Sequence, residues 1–216
     1  MASDRLRCLI VDYGGVLTTS VSASFDAWAE ADQLDAEALA AALRQVLAEE
    51  GGTGLVHALE RGELTADDFE RRFAALIRKA DGGAVPPAGL LRRAFAGMGT
   101  EYPMVDAVRA AKAHGLRTAL LSNSWGLDYD RADWAALFDA VVISGEVGLR
   151  KPEPAIYHLA AERLGARPEE CVFVDDLAHN VRGAAAAGMV GVHHTSVDMT
   201  LSELEALFGV LLHAPD

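Results

Sequence analysis

Two hydrophobic patterns take turns along the chain. Short unbroken apolar runs stop at charged or hydroxyl residues, and longer stretches place apolar residues on one helical face. Unbroken runs suit strands buried on both faces, and helical spacing suits amphipathic helices. The first run, Cys8–Val11, stops at Asp12 and the pair Gly14 and Gly15, which predicts a buried strand ending in a tight loop. From about Ser20 to Gly97 the pattern is helical, with Leu39, Leu43, Val46 and Leu47 on one face. Breaks fall at Gly51 and Gly52, at Gly62, at Asp81 to Gly83, and at Pro86 and Pro87. Roughly four or five helices and no strand are expected there. Thr65 is the expected N-cap of one, with Asp67, Asp68 and Glu70 in its first turn.

After Gly99 the two patterns alternate. Helices are predicted over Pro103–His114, within Trp125–Phe138, and over Glu153–Leu164, Leu177–Ala187 and Leu201–Leu212. Strands are predicted over Arg117–Ser122, Ala140–Ser144, Glu170–Asp175 and Val190–His194. Such alternation indicates a parallel sheet covered by helices on both faces, a doubly wound α/β fold. The helical stretch interrupts it after the first strand. It therefore reads as an inserted helical cap, residues 19–97, on an α/β core made of residues 1–18 and 98–216.

Length agrees with one core plus an insertion, since the chain has 216 residues. Nineteen basic against 32 acidic residues leave a net charge of −13. Nucleic-acid and anionic-membrane partners need basic surfaces, so neither is expected. Two cysteines, Cys8 and Cys171, are too few for a disulfide framework and are not spaced for zinc. They suit a reducing, cytoplasmic setting and buried, inert thiols. The polar start, Met1–Arg7, does not resemble a secretory signal, and no apolar run approaches the ~20 residues of a membrane span.

Three strands end in polar residues that do not suit a core: Asp12, then Ser122 with Asn123, then Asp175 with Asp176. In parallel α/β sheets, ligands bind outside the carboxyl ends of the strands, so these residues converge there. Lys151, in a loop stiffened by Pro152 and Pro154, can reach the same place. Three carboxylates at one spot repel unless a cation lies among them, and oxygen ligands suit Mg²⁺. Lys151 and the Ser122 hydroxyl could hold an anion against that metal, and a carboxylate facing a metal-bound phosphate can act as a nucleophile. Each residue also has a plainer reading, as a turn cap, a helix cap or a solvated lysine.

The segments Asp12–Leu17 (DYGGVL), Leu121–Ser124 (LSNS), Gly148–Tyr157 (GLRKPEPAIY) and Phe173–Asn180 (FVDDLAHN) together resemble the four ordered motifs of the haloacid dehalogenase superfamily. The resemblance covers nearly the whole chain and points to the phosphatase group similar to the N-terminal domain of soluble epoxide hydrolase. It implies that Asp12 is the nucleophile and that Gly14 lends its backbone carbonyl to Mg²⁺. Ser122 and the backbone N–H of Asn123 would bind the phosphoryl group, with Lys151 as the motif-three lysine. Asp176 would bind the metal directly, Asp175 directly or through water, and Asn180 would lie in the outer shell. The implied substrate is a small phosphorylated metabolite, and the implied chain is a monomer or homodimer.

One position departs from the pattern. Most phosphatases of this superfamily carry an acid/base aspartate two residues after the nucleophile, and here that residue is Gly14. Glycine cannot transfer a proton. General acid–base catalysis is worth about 10²–10⁴-fold, so a slower enzyme is expected, or a binding or regulatory protein with little turnover. His179 is a candidate substitute donor. Dehalogenation is disfavoured by Gly14 and by the paired acids Asp175 and Asp176. The other histidines have no metal-ligand spacing. Trp28 reads as cap core, Trp125 could line an entrance, and Glu60–Thr65 could shape substrate choice.

Overall fold

The structure is a computed structural model that describes residues 6–47, 54–126 and 129–213. The expected break at Gly51 and Gly52 lies outside the described residues. Strand β1 is Cys8–Val11; helices α1 (Val21–Ala31), α2 (Ala36–Leu47), α3 (Leu55–Glu60), α4 (Ala66–Ala74) and α5 (Leu90–Ala94) follow, with no strand between them among the described residues. Then come α6 (Tyr102–Ala113), β2 (Arg117–Ser122), α7 (Trp134–Leu137), β3 (Ala140–Ile143), α8 (Ser144–Val147) and α9 (Pro154–Arg163). The chain closes with β4 (Cys171–Asp175), α10 (Ala178–Ala186), β5 (Val190–His193) and α11 (Val197–Phe208). The five strands pair in the order β3-β2-β1-β4-β5, every pair parallel.

Successive strand residues point to opposite faces, and the core divides accordingly. Leu9, Val11, Val172 and Val174 face α6, α7 and α11, with Met104, Val108, Leu137 and Leu204 closing that layer. Cys8, Ile10, Cys171 and Phe173 face α9, with Ile156, Tyr157 and Ala160 opposite them. The doubly wound α/β fold is therefore the observed one. Cys8 and Cys171 are register partners, both buried and both free.

Helices α1–α5 bury a cluster of their own, including Phe25, Trp28, Leu39, Phe69, Phe73 and Leu90. Each such side chain contributes roughly 1.5–3 kcal/mol by leaving water, so this layer has its own reason to fold. Thr65 caps α4 as expected, its side chain accepting a hydrogen bond from the Asp68 N–H. The chain leaves the sheet layer and returns to it along paired segments: Thr19 N donates to Gly99 O, and Glu101 N donates to Leu17 O.

The last helix is displaced from its expected range of Leu201–Leu212. It runs Val197–Phe208 because Ser196 caps it, accepting from Met199 N–H, and because Gly209 takes a left-handed φ of 70° at its end. The apolar run alone gave no sign of that cap.

Candidate active site at the sheet edge

Parallel strands bring their carboxyl ends to one edge, and the polar strand ends meet there. Asp12 follows β1, Ser122 ends β2, and Asp175 ends β4 with Asp176 beside it. Lys151 arrives from the loop between α8 and α9. Its side chain is almost wholly buried, and Nζ lies 2.7 Å from Asp12 Oδ1 and 2.6 Å from Asp175 Oδ2. Asn123 holds the lysine's backbone: Lys151 N donates to Asn123 Oδ1 at 2.9 Å, and Asn123 Nδ2 donates to Lys151 O at 3.1 Å. Sequence reasoning had assigned Asn123 only a backbone role.

Asp175 is heavily bonded. It accepts from Leu177 N at 2.8 Å and from Asn180 Nδ2 at 3.0 and 3.1 Å, besides Lys151. Asp12 Oδ1 also accepts from Tyr13 N at 2.7 Å. The carboxylates of Asp12, Asp175 and Asp176 each place an oxygen within 4.8 Å of the others. One ammonium does not balance three carboxylates. Burial drives Asp12 up to about 8, against the pull of Lys151 and with added repulsion from Asp175 and Asp176. Burial, then Asp175, drive Asp176 up to about 6. Burial alone would depress the Lys151 ammonium, but Asp12 and Asp175 outweigh it and hold it above its ordinary value. Hard oxygen donors short of positive charge are the donor set a small divalent cation needs. Asn180 Oδ1 adds a buried acceptor without a hydrogen-bond partner. The residues present therefore fit Mg²⁺.

The glycine pair divides its work in a way the sequence did not show. Gly15 has φ of 74°, and a Cβ there would lie 2.4 Å from Asp176 Oδ2. Only glycine allows both that backbone and that approach. Gly14 has no such constraint, and a Cβ there would meet Val21 Cγ2 at 3.2 Å.

Ser122 is buried, with Oγ 3.1 Å from the Tyr129 hydroxyl. Next to Tyr129 and Ser124, a cavity of about 470 Å³ opens between α3–α4 and the sheet layer, lined also by Leu59, Leu64, Thr65 and Ile143. It borders the hydroxyl side of the site rather than the carboxylates.

Helices α1–α5 are fastened over this edge. Glu60 is buried, and Arg150 Nε donates to its Oε2 at 2.5 Å. Burial raises the Glu60 carboxyl, with Arg150 pulling it down. Ser144 Oγ donates to Glu60 O at 2.5 Å, and Arg61 pairs with Glu153. The Glu60 region thus touches the loop that carries Lys151. The Trp125 ring packs edge-on against Phe25, Phe69 and Phe95 at 5.6–6.0 Å, so the loop after β2 plugs into the core of helices α1–α5. Trp28 is buried in that same cluster of α1–α5. His179 is exposed. His193 bonds the Asp176 carbonyl at 3.0 Å, and His194 bonds Thr200 Oγ1 at 2.8 Å. Tyr129, Arg150 and Gly15 have no role assigned from the sequence. Nothing in the local pattern singles out Tyr129.

With the geometry in view, a model of the haloacid dehalogenase-like hydrolases matches residues 6–188. Mouse bifunctional epoxide hydrolase 2 is 30% identical over 220 residues, which cover 94% of this chain and 39% of that protein. The chain thus spans well under half the length of that relative. Phosphatase MT3486 of Mycobacterium tuberculosis is 30% identical over 192 residues, covering 85% of both chains. Among solved structures, a HAD family enzyme of Bacteroides thetaiotaomicron, in complex with magnesium and inorganic phosphate, superposes with a TM-score of 0.58 at 20% identity. That match covers 87% of this chain and 93% of that one.

Proposed function

The chain belongs to the haloacid dehalogenase-like hydrolases, and from that premise we propose that it is a Mg²⁺-dependent phosphatase acting on a small phosphate monoester through a phosphorylated Asp12. The carrying observation is the buried Lys151 ammonium held between Asp12 and Asp175, with Asp176 completing a carboxylate cluster at the strand ends. Asp12 Oδ attacks phosphorus and the ester P–O bond breaks; water then hydrolyses the acyl-phosphate and returns the carboxylate. Ser122 and Asn123 bind the phosphoryl oxygens, and Lys151 neutralises charge on the transferring group. Asp12, the Gly14 carbonyl and Asp176 would hold the metal, with Asp175 directly or through water. When bound, Mg²⁺ supplies the missing positive charge and draws electron density from the phosphoryl group. Asn180 holds Asp175. The cavity beside Tyr129 takes the alcohol part of the ester. The names of similar phosphatases support this class of reaction. A cluster of three acids does not favour dehalogenation, which uses no metal.

The metal is tested without relying on turnover. In the metal-free protein, Asp12 and Asp176 titrate above their unfolded values. A raised carboxyl favours the fold fully below its unfolded pKa, near 3.9, and loses that contribution as pH rises through the folded value. The loss runs from about pH 4 through about 6 for Asp176 and about 8 for Asp12. Mg²⁺ competes with those protons. The Tm gain on adding Mg²⁺ is therefore expected to be small at pH 5 and to grow toward pH 8. A pH-independent gain contradicts this assignment.

Gly14 favours a second reading, a phosphate-binding protein with little turnover, because nothing at that position donates a proton to the leaving oxygen. Gly14→Asp tests how much this matters. The backbone there is unstrained, and an added Cβ asks only that Val21 shift. Expected is a gain of about 10²–10⁴-fold in kcat/KM on alkyl phosphates, with little change on para-nitrophenyl phosphate, whose leaving group needs no acid. Equal effects on both esters would contradict a missing general acid.

A further inference from the structure

The loop after β2 turns back to the site at Tyr129, a residue in none of the four motifs. Its hydroxyl lies 3.1 Å from Ser122 Oγ, and either oxygen could be the donor in that pair. A hydroxyl has one proton and two acceptor lone pairs. Ser122 is buried, so its single proton must go to a definite partner. If it goes to Tyr129, no Ser122 proton remains for a phosphoryl oxygen. If Tyr129 donates instead, the Ser122 proton is free to meet the anion.

The surroundings favour Tyr129 as the fixed donor. Its ring packs edge-on against Tyr13 at 5.0 Å and at a tilt against Trp134 at 5.3 Å, and the Arg131 guanidinium lies 5.9 Å over its face. Tyr13 directly follows the nucleophile, and its N–H donates to Asp12 Oδ1 at 2.7 Å. One aromatic cluster thus holds both the nucleophile's carboxylate and the phenol beside Ser122. Burial also keeps the Tyr129 phenol protonated by raising its pKa.

We propose that Tyr129 is a positioning residue: it donates its phenol proton to Ser122 Oγ and thereby aims the Ser122 proton at a phosphoryl oxygen. This rests on the phosphatase reading for the role of Ser122. It assigns no proton transfer to Tyr129, only orientation.

The test is a cycle of Tyr129→Phe, Ser122→Ala and the double variant, in the full chain with Mg²⁺. Inorganic phosphate affinity is measured by calorimetry, and kcat and KM with para-nitrophenyl phosphate. Hydrogen bonds to charged groups are worth roughly 1.5–3 kcal/mol. Loss of the Ser122 contact should then weaken phosphate binding about 10–100-fold, and Tyr129→Phe should weaken it about 5–10-fold. If Tyr129 acts through Ser122, the double variant is no weaker than Ser122→Ala alone. Additive losses, or wild-type phosphate affinity in Tyr129→Phe, overturn the proposal. Should Tyr129→Phe fail to fold, difluorotyrosine at position 129 keeps the ring and hydroxyl but lowers the phenol pKa. Phosphate affinity should then fall as pH rises through that lowered value, and a flat profile overturns the proposal. Wild type that binds phosphate without turning over sinks the phosphatase reading alone, because the cycle is still read from binding. Wild type that binds no phosphate overturns both.

Discussion

Asp12→Asn is expected to lower kcat for para-nitrophenyl phosphate by about 10⁴-fold or more, because removing a nucleophile takes away the covalent step as a whole. The carboxamide is nearly isosteric and cannot form an acyl-phosphate. The fold should survive. Lys151 keeps its contact with Asp175 at 2.6 Å, and the variant removes one of three mutually repelling carboxylates. Burial already disfavours the ionised form of Asp12, which lies near 8 without metal. Above neutral pH, a neutral residue there should leave the metal-free Tm unchanged or higher. Steady-state kinetics with a thermal melt measures both. Turnover within tenfold of wild type would remove Asp12 from the mechanism, and a large fall in Tm would show a structural role instead.

Lys151→Met is expected to cost about 3–5 kcal/mol of stability, because it leaves the buried Asp12 and Asp175 without their cation. For a chain of 150–250 residues that corresponds to a Tm drop of roughly 6–20 °C in the absence of Mg²⁺. The lysine is almost fully enclosed, with its Nζ also 5.4 Å from the Phe173 ring, so solvent cannot replace it. Adding Asp12→Asn to this variant should restore part of the loss, since the two residues share one contact at 2.7 Å. Mg²⁺ should restore part as well, by supplying positive charge to the same carboxylates. Chemical denaturation of the single and double variants decides it. A cost below about 1 kcal/mol, the range of an exposed pair, would mean that the lysine is not the charge that holds this edge together.

Much of the molecule could be read from local pattern. Strands β1, β2 and β4 are apolar through their middles because both faces of the sheet are covered, and that covering is what such strands imply. Asp12, Ser122 and Asp175 stand at strand ends, and a parallel sheet puts all such ends on one edge; that they meet there follows from β1 lying between β2 and β4. Where pattern misled, a side-chain hydrogen bond or a distant packing partner had the deciding role. Ser196 starts α11 ahead of the apolar run, and Trp125 belongs to the aromatic cluster of α1–α5 although it follows motif two.

The amino-acid sequence by itself thus determined the doubly wound core, the run of helices after β1 and the identity of the acidic and basic groups at the strand ends. These follow from side-chain periodicity and from the polarity of strands running in one direction. Only the tertiary structure decided which groups touch across long separations. It seats Glu60 on Arg150, lays Asp176 against Gly15 and sets the Tyr129 hydroxyl on Ser122. Such contacts depend on how the loops fold over the sheet edge. No period along the chain encodes that geometry, because it is fixed by packing among residues that are neighbours only in space.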